Sequence, residues 1–152
     1  MRVKPKGALS IIALGAVAAV LGASAAQGHL RGWDDCADAC PENNSWSGHE
    51  HSDAMFSRGG VDVVLGFDAD DFIDTGASPD IGYGENGPDD VFGGSETDIL
   101  RGQDGDDLLQ GDGAGDELHG GPGDDTLKGS DGHDHCWGGG GNDTYFNCHV
   151  HG

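Results

Sequence analysis

The sequence has little positive charge and few aromatic side chains. Lysine and arginine together number 7 against 28 aspartates and glutamates, which gives a formal net charge of −21, and aromatic residues make up 7% of the 152 residues. Such an acidic surface would repel a phosphate backbone, so we expect no nucleic-acid partner. Low hydrophobicity with high charge also argues against a large packed core, and the length suits one domain.

Long apolar runs are absent after Ala26, so we expect no membrane span in the rest of the chain. The N-terminus has a basic start, an apolar run from Ala8 to Leu21 and small residues at Ala23–Ala26. This order is typical of a secretory signal peptide, and the run is shorter than the roughly 20 residues that a spanning helix needs. We predict a signal peptide over residues 1–26 and a secreted, extracellular protein; an uncleaved anchor is the alternative.

Cysteine is scarce, but its four residues form an even number. In an exported chain an even count indicates disulfides. Proximity in sequence favours the pairs Cys36–Cys40 and Cys136–Cys148, while the other two pairings stay open. Metal thiolates are a competing interpretation, because histidines lie nearby.

Glycine and aspartate are abundant, and they follow a period of nine residues. Ten consecutive blocks run from Ser57 to Phe146 without an insertion. The first position is glycine in eight blocks, the fourth is mostly small, and the eighth is nearly always apolar. A fixed period of this kind indicates a repeat architecture. The sixth position is aspartate in all ten blocks: Asp62, Asp71, Asp80, Asp89, Asp98, Asp107, Asp116, Asp125, Asp134 and Asp143.

Each position of the block has a physical role. Glycines at positions one to four permit tight turns with positive φ and let backbone carbonyls face inward. Positions seven to nine suit a short strand whose middle residue points inward. One block cannot bury its single apolar residue, whereas stacked blocks can, as in a solenoid. Calcium takes six to eight oxygens from carboxylates and carbonyls, and Gly-Asp turns supply both.

The pattern G-G-x-G-x-D-x-U-x, in which U is a large apolar residue, resembles the nonapeptide of the RTX (haemolysin-type) calcium-binding repeats. Residues 120–128 and 138–146 match it at every defined position, and the resemblance covers residues 57–146. It implies an all-β fold, a right-handed parallel β-roll (a solenoid) of about five turns with two blocks per turn. It also implies calcium ions between like turns of successive coils.

The same resemblance implies the ligands. The position-six aspartates supply carboxylates, and five turns on each side leave four gaps, so at most about eight Ca²⁺ ions fit. One block departs from the pattern at Thr75, Ser78 and Gly82, and Glu96 adds a Cβ to the turn of the next block, so we expect altered sites around Asp80 and Asp98. The carbonyl donors implied are the glycines at positions one and four: Gly84, Gly87, Gly102, Gly105, Gly111, Gly120, Gly123, Gly129, Gly132, Gly138 and Gly141.

The repeat boundaries predict four segments. These are the signal peptide over residues 1–26, a short irregular N-terminal cap segment over 27–56, the calcium-binding β-roll over 57–146 and a C-terminal tail over 147–152. Val63, Ile81 and Ile99 form an outward apolar stripe. We expect the cap segment or a separate partner to cover it, because exposed apolar stripes mark contacts.

Histidines recur two residues apart, at His49 and His51, at His133 and His135, and at His149 and His151. In a strand such pairs share a face and can chelate a metal such as zinc. Zn²⁺ is therefore a second candidate cofactor. Solvent-exposed polar residues near the end of a solenoid are the alternative interpretation.

No paired acid and nucleophile stands at a recognisable spacing, and about 30 residues before the repeats are too few for an enzyme domain. We therefore predict a secreted, non-enzymatic calcium-binding protein that folds on binding Ca²⁺ and serves as a structural or interaction module. A cell-surface or matrix component is the candidate partner, and a plain extracellular calcium binder is the nearest competing role. The alternatives are a non-catalytic remnant or accessory module of a secreted RTX hydrolase and a histidine-assisted transition-metal binder.

Overall fold

The computed structural model describes residues 45–151, which contain thirteen β-strands and no helix, hence no helix that could cross a membrane. In chain order the strands are β1 (Ser45–Ser47), β2 (Ala54–Phe56), β3 (Val63–Asp68), β4 (Phe72–Asp74), β5 (Ile81–Asn86), β6 (Asp90–Gly94), β7 (Ile99–Asp104), β8 (Leu108–Gly113), β9 (Glu117–Pro122), β10 (Thr126–Asp131), β11 (His135–Gly140), β12 (Thr144–Phe146) and β13 (His149–His151).

The strands alternate between two parallel sheets. Odd-numbered strands form a seven-stranded sheet and even-numbered strands a six-stranded sheet. Each strand from β3 to β10 pairs with the strand two further along the chain, so that equivalent residues two blocks apart lie side by side, as in Val63 with Ile81 and Leu108 with Thr126. Two nine-residue blocks therefore make one turn. The predicted all-β parallel solenoid is confirmed.

The core is a single file of position-eight side chains between the two sheets. One apolar residue from each block enters it, which explains the strict spacing of apolar residues along the chain. Gly82 interrupts the file because a Cβ there would lie 2.9 Å from Val91 Cγ1, so the neighbouring coils already fill the space. The buried members are Met55, Val64, Ile73, Val91, Leu100, Leu109, Leu118, Leu127 and Cys136.

The solenoid begins before Ser57. Strands β1 and β2 pair in parallel with β3 and β4, so the fold has about six turns rather than about five. Residues 48–56 form an additional block, with Gly48 at position one, Asp53 at position six and Met55 at position eight. The periodic pattern hides this block because His49, Glu50 and His51 replace the small residues of the turn. Residues 1–44, with the predicted signal peptide and Cys36–Cys40 pair, lie outside the described residues.

The predicted C-terminal tail forms strand β13, which pairs with β11 after a stretch of chain shorter than the two blocks that separate other paired strands, since His149 lies beside His135. The chain takes a shorter path because Cys148 is joined by a disulfide to Cys136, with the two Cα atoms 5.8 Å apart. This is the pairing that sequence proximity favours. Cys148 also packs against the core, so the disulfide holds the final strand at the end of the solenoid.

The outward apolar stripe lies on adjacent strands of the seven-stranded sheet. Val63 pairs with Ile81 and Ile81 with Ile99, and all three side chains are half-buried. Its neighbour at the start of the sheet is Ser45, which pairs with Val63. That the cap segment covers the stripe stays a prediction, since residues 27–44 are not described.

Candidate metal centre in the stacked turns

The turns require a left-handed backbone at two positions of every block. In all ten blocks from Ser57, the residues at positions two and four have positive φ. Glycine adopts this conformation at no steric cost, whereas other residues pay a conformational penalty. Position four is glycine in six blocks, but position two is glycine in only four. The glycine content of the sequence therefore predicts the left-handed backbone at position four better than at position two.

The position-six aspartates form two columns, one on each side of the solenoid. In each column, the backbone N–H of one aspartate donates a hydrogen bond of 2.7–3.1 Å to Oδ1 of the aspartate one coil later. The Asp53 column contains Asp53, Asp71, Asp89, Asp107, Asp125 and Asp143, and the Asp62 column contains Asp62, Asp80, Asp98, Asp116 and Asp134.

The second oxygen of these carboxylates, Oδ2, is buried and has no hydrogen-bond partner in eight aspartates, whose side chains are at most 4% exposed. A buried polar atom without a partner is costly, and a buried charge is more so unless it is paired or binds a metal. Each aspartate of this set thus has one free acceptor oxygen. The members are Asp71, Asp80, Asp89, Asp98, Asp107, Asp116, Asp125 and Asp134.

Burial makes five of these carboxyl groups resist ionisation in the absence of a cation. It raises the pKa of Asp98 and Asp107 to about 7, and that of Asp80, Asp89 and Asp116 to about 6. The backbone N–H from the preceding coil lowers each pKa, and neighbouring carboxylates raise it, both by less than burial does. A cation held near the carboxylates would favour their ionised form.

Position one is glycine because of space. A Cβ on Gly102 would overlap Oδ2 of Asp107, and one on Gly120 would overlap Oδ2 of Asp125 and approach Gly138 O at 2.6 Å. In these two blocks the position-one glycine and the partnerless oxygen are therefore in direct contact. The same contact with the aspartate five residues later occurs at Gly84, Gly102, Gly111, Gly120, Gly129 and Gly138.

Position four is glycine because of both conformation and space. Gly105 has a φ of 156°, and a Cβ on it would overlap the carbonyl oxygen of Gly87 in the preceding coil. Successive turns thus lie close enough for backbone carbonyls to enter the space between coils. The predicted position-four glycines all have positive φ and lie in these turns: Gly87, Gly105, Gly123, Gly132 and Gly141.

The donors fit a hard cation that binds oxygen. The turns bring carboxylate oxygens and main-chain carbonyls together, which is the ligand set that Ca²⁺ takes. Over residues 45–151, no three side chains of His, Cys, Asp or Glu converge as a preformed metal cluster.

The turns around Thr75 differ in the way their carbonyls are used. The Thr75 hydroxyl donates to Gly93 O at 2.9 Å and to Phe92 O at 3.2 Å, and the Ser57 hydroxyl donates to Thr75 O. These carbonyls of the Asp62 column already have a donor from the protein. Hydroxyl groups at position one thus give the turns before Asp80 and Asp98 a different set of free acceptors.

Two features of the turns escape the repeat pattern. Asp53 extends one column by a coil, as described above. A further ladder lies at position five, where Asp106 Oδ1 accepts the N–H of Asp124 at 2.8 Å and Asp124 Oδ1 accepts that of Asn142 at 2.7 Å. Asp106 and Asp124 border an open acidic groove of about 690 Å³ along the Asp53 column. The signal for it is the acid or amide at position five of alternate blocks.

The comparisons with known proteins agree with this geometry. The chain matches the family model of the RTX calcium-binding nonapeptide repeat (four copies) over residues 47–81, 83–116 and 110–145. The chain belongs to this family. RTX repeats bind Ca²⁺, so the stacked turns form a calcium-binding module, and the match includes residues of the coil that precedes Ser57. No curated protein and no solved structure matches the chain.

The histidine pairs lie in two different settings. His49 Nδ1 lies 3.5 Å from Asp53 Oδ2, and His51 Nδ1 lies 2.6 Å from Glu50 O, so both side chains contact residues of their own turn. His135 and His151 instead come together from β11 and β13 at the C-terminal end. The structure thus pairs histidines between strands there.

Proposed function

We propose that this member of the RTX family is a secreted, non-enzymatic module whose solenoid folds when Ca²⁺ binds between like turns. The observation that carries the proposal is the buried Oδ2 without a partner in eight aspartates, four in each column. Each ion would be held by these carboxylates and by carbonyls of the glycine turns. Because Asp53 adds a coil, five gaps in its column and four in the Asp62 column set an upper bound of nine ions rather than eight.

Electrostatics supports a coupling between binding and folding. Residues 57–146 contain 22 acidic residues and only three basic ones, Arg58, Arg101 and Lys128. Stacking brings the carboxylates of each column within one strand spacing of one another, so they repel in the absence of a counter-charge. A metal that binds only the folded arrangement contributes its binding free energy to folding.

Secretion is supported by the N-terminal charge and hydrophobicity pattern and by the Cys136–Cys148 disulfide, which suits an oxidising compartment. A non-enzymatic role is supported by the repeat composition, since nearly every chemistry-bearing side chain belongs to the repeated turn. The module would serve as a calcium-dependent structural or interaction element at a cell surface or in a matrix. A plain calcium binder would show no calcium-dependent retention on cells.

Calorimetric titration with Ca²⁺ tests the proposal. We expect several ions per chain and a gain of strand signal in circular dichroism over the same range, with Mg²⁺ a poor substitute. Asp107→Asn alters a buried carboxylate that faces two gaps of its column, so it should lower the stoichiometry by one or two ions.

Asp90→Asn is the matched control, because it makes the same charge change at an exposed side chain of β6. It should leave the stoichiometry unchanged. Equal stoichiometry in the two variants would contradict the assignment of ligands. Equal strand content with and without calcium would contradict the coupling to folding.

A further inference from the structure

The outer face of the seven-stranded sheet carries a row of rings at its C-terminal end. The His119 ring stacks on Trp137 at a centroid distance of 4.5 Å and an interplanar angle of 3°, and Trp137 stacks on His151 at 4.6 Å. These three residues come from β9, β11 and β13, in register across the sheet. The calcium-binding turns use none of them.

His151, the last ring of this row, also lies at a hydrogen-bonding distance from a second imidazole, that of His135. His135 Nδ1 lies 2.7 Å from His151 Nε2, and both side chains are exposed. His149, the direct register partner of His135, has its ring centroid 6.2 Å from that of His135. His133 in turn lies 6.2 Å from His149. Four imidazoles therefore share one end of the sheet.

We propose that His135 and His151 form a two-histidine binding site for a divalent transition-metal ion, with Zn²⁺ or Cu²⁺ as the ion class. In the metal-free pair, one imidazole nitrogen must present an N–H and the other a lone pair. The ring that donates can move its proton to its other nitrogen through solvent, so that both rings stay neutral and each offers a lone pair to the metal ion. Water completes the coordination of an open site of this kind.

The donor chemistry separates this site from the calcium turns. Ca²⁺ takes oxygen ligands, whereas imidazole suits zinc, copper and nickel. Cys136 and Cys148 are joined in the disulfide, so they offer no thiolate. The neighbouring Asp134 side chain is buried, and its Oδ1 accepts the Asp116 N–H at 3.0 Å. The two kinds of ion thus use different ligands, although Asp134 and His135 are adjacent in the chain.

The backbone around the pair is held in place by the fold. Three consecutive residues of β13 pair with β11, and the disulfide fixes the turn that precedes them. Only the imidazole rings then need to adjust when an ion binds. A site whose donors are held by paired strands loses little freedom on binding.

The second exposed histidine pair provides an internal control. His49 and His51 have the same spacing in sequence as His149 and His151. However, His51 Nδ1 already lies 2.6 Å from Glu50 O, and His49 contacts Asp53. Those rings do not approach each other as His135 and His151 do, so we expect no chelate there.

Zn²⁺ titration of the chain in saturating Ca²⁺, followed by calorimetry, tests the site. We expect one Zn²⁺ per chain, about tenfold or more weaker affinity in the double variant His135→Gln/His151→Gln, and wild-type affinity in His49→Gln/His51→Gln. Both variants change exposed side chains, and circular dichroism in Ca²⁺ checks that they fold. Equal Zn²⁺ affinity in the two double variants overturns the proposal.

Trp137 gives a second readout, because its ring contacts His151. Cu²⁺ should quench Trp137 fluorescence in the wild type, a large excess of Zn²⁺ should reduce the quenching because Cu²⁺ binds imidazole more tightly, and Trp137→Phe should remove the quenched signal. Quenching that persists in His135→Gln/His151→Gln, or that Ca²⁺ abolishes by competition, overturns the proposal. The assay requires only a folded chain, so its outcome is distinct from that of the calcium-coupled folding test.

Discussion

The position-six aspartates of the central coils give their two carboxylate oxygens different roles. In Asp107, Oδ1 accepts the N–H of the preceding coil, while Oδ2 stays buried against Gly102 without a partner. An asparagine could keep the first role, but it would place an amide group where the second oxygen lies. A glutamate would need room for another methylene beside the glycine. Both oxygens are used only by aspartate, which explains its strict recurrence at this position.

The contact between glycine and carboxylate predicts the effect of Gly102→Ala. A Cβ on Gly102 would overlap Oδ2 of Asp107, so the carboxylate must move. Overpacking of this kind costs about 1–3 kcal/mol, and the displaced oxygen should also bind Ca²⁺ less well. Gly140→Ala is the control, because a Cβ there would meet nothing within 4 Å. Thermal unfolding in saturating Ca²⁺ should show a lower midpoint for Gly102→Ala alone, and equal midpoints would contradict the steric argument.

At the scale of the elements, the sequence predicts the middle of the solenoid better than its ends. Aspartate at position six and an apolar residue at position eight define the strands and the core directly, because burial enforces both positions. Residues 48–56 keep Gly48, Asp53 and Met55 but lose the small turn residues, so their coil emerges only from strand pairing. The short register of β13 depends on a covalent bond to Cys136, which a periodic pattern does not encode.

The contact between His135 and His151 likewise could not be predicted from the sequence. The two residues come together because β13 returns to β11 before two full blocks have passed. A regular return after two blocks would place different partners in contact. The sequence predicts histidine pairs within one strand, whereas the structure forms the closest pair between strands.

The terminal strand predicts a dependence on the disulfide. Opening Cys136–Cys148, which closes a short loop, should destabilise the folded chain by about 3 kcal/mol on the chain-entropy estimate. Urea unfolding in saturating Ca²⁺, with and without reductant, measures the shift, and amide exchange should show β12 and β13 losing protection first. Reductant should have no further effect on Cys136→Ala/Cys148→Ala. A shift that persists in that variant would assign the effect to the other two cysteines.

At the scale of the whole molecule, the buried carboxyls predict an unusual pH dependence for the metal-free chain. Folding raises the pKa of Asp98 and Asp107 from an ordinary value of 3.8 to about 7, because burial disfavours their charged form. Such groups stabilise the fold below the unfolded pKa, and this stabilisation is lost as pH rises through the folded pKa. The metal-free chain should therefore be more structured near pH 5 than at pH 8.

With Ca²⁺ the order should reverse, because the ion binds the ionised carboxylates. Circular dichroism on protein freed of metal, at several pH values with and without added Ca²⁺, measures both trends. Strand content in the metal-free chain that rises with pH would contradict the argument. An unchanged profile in an Asp98→Asn/Asp107→Asn variant would show that other groups control the titration.

The two-sheet construction has a consequence for changes in chain length. The residue pattern repeats with every nine-residue block, whereas a full coil of the solenoid takes two blocks. Excising residues 102–119 would preserve the phase, so every downstream strand would return to its own sheet and the molecule would shorten by one rung. Excising residues 102–110 would leave the sequence repeat equally regular. It would, however, transfer all downstream strands, and the ring stack around Trp137, to the other sheet. Evolution or design can therefore lengthen this scaffold freely in whole coils, while half a coil exchanges its two faces.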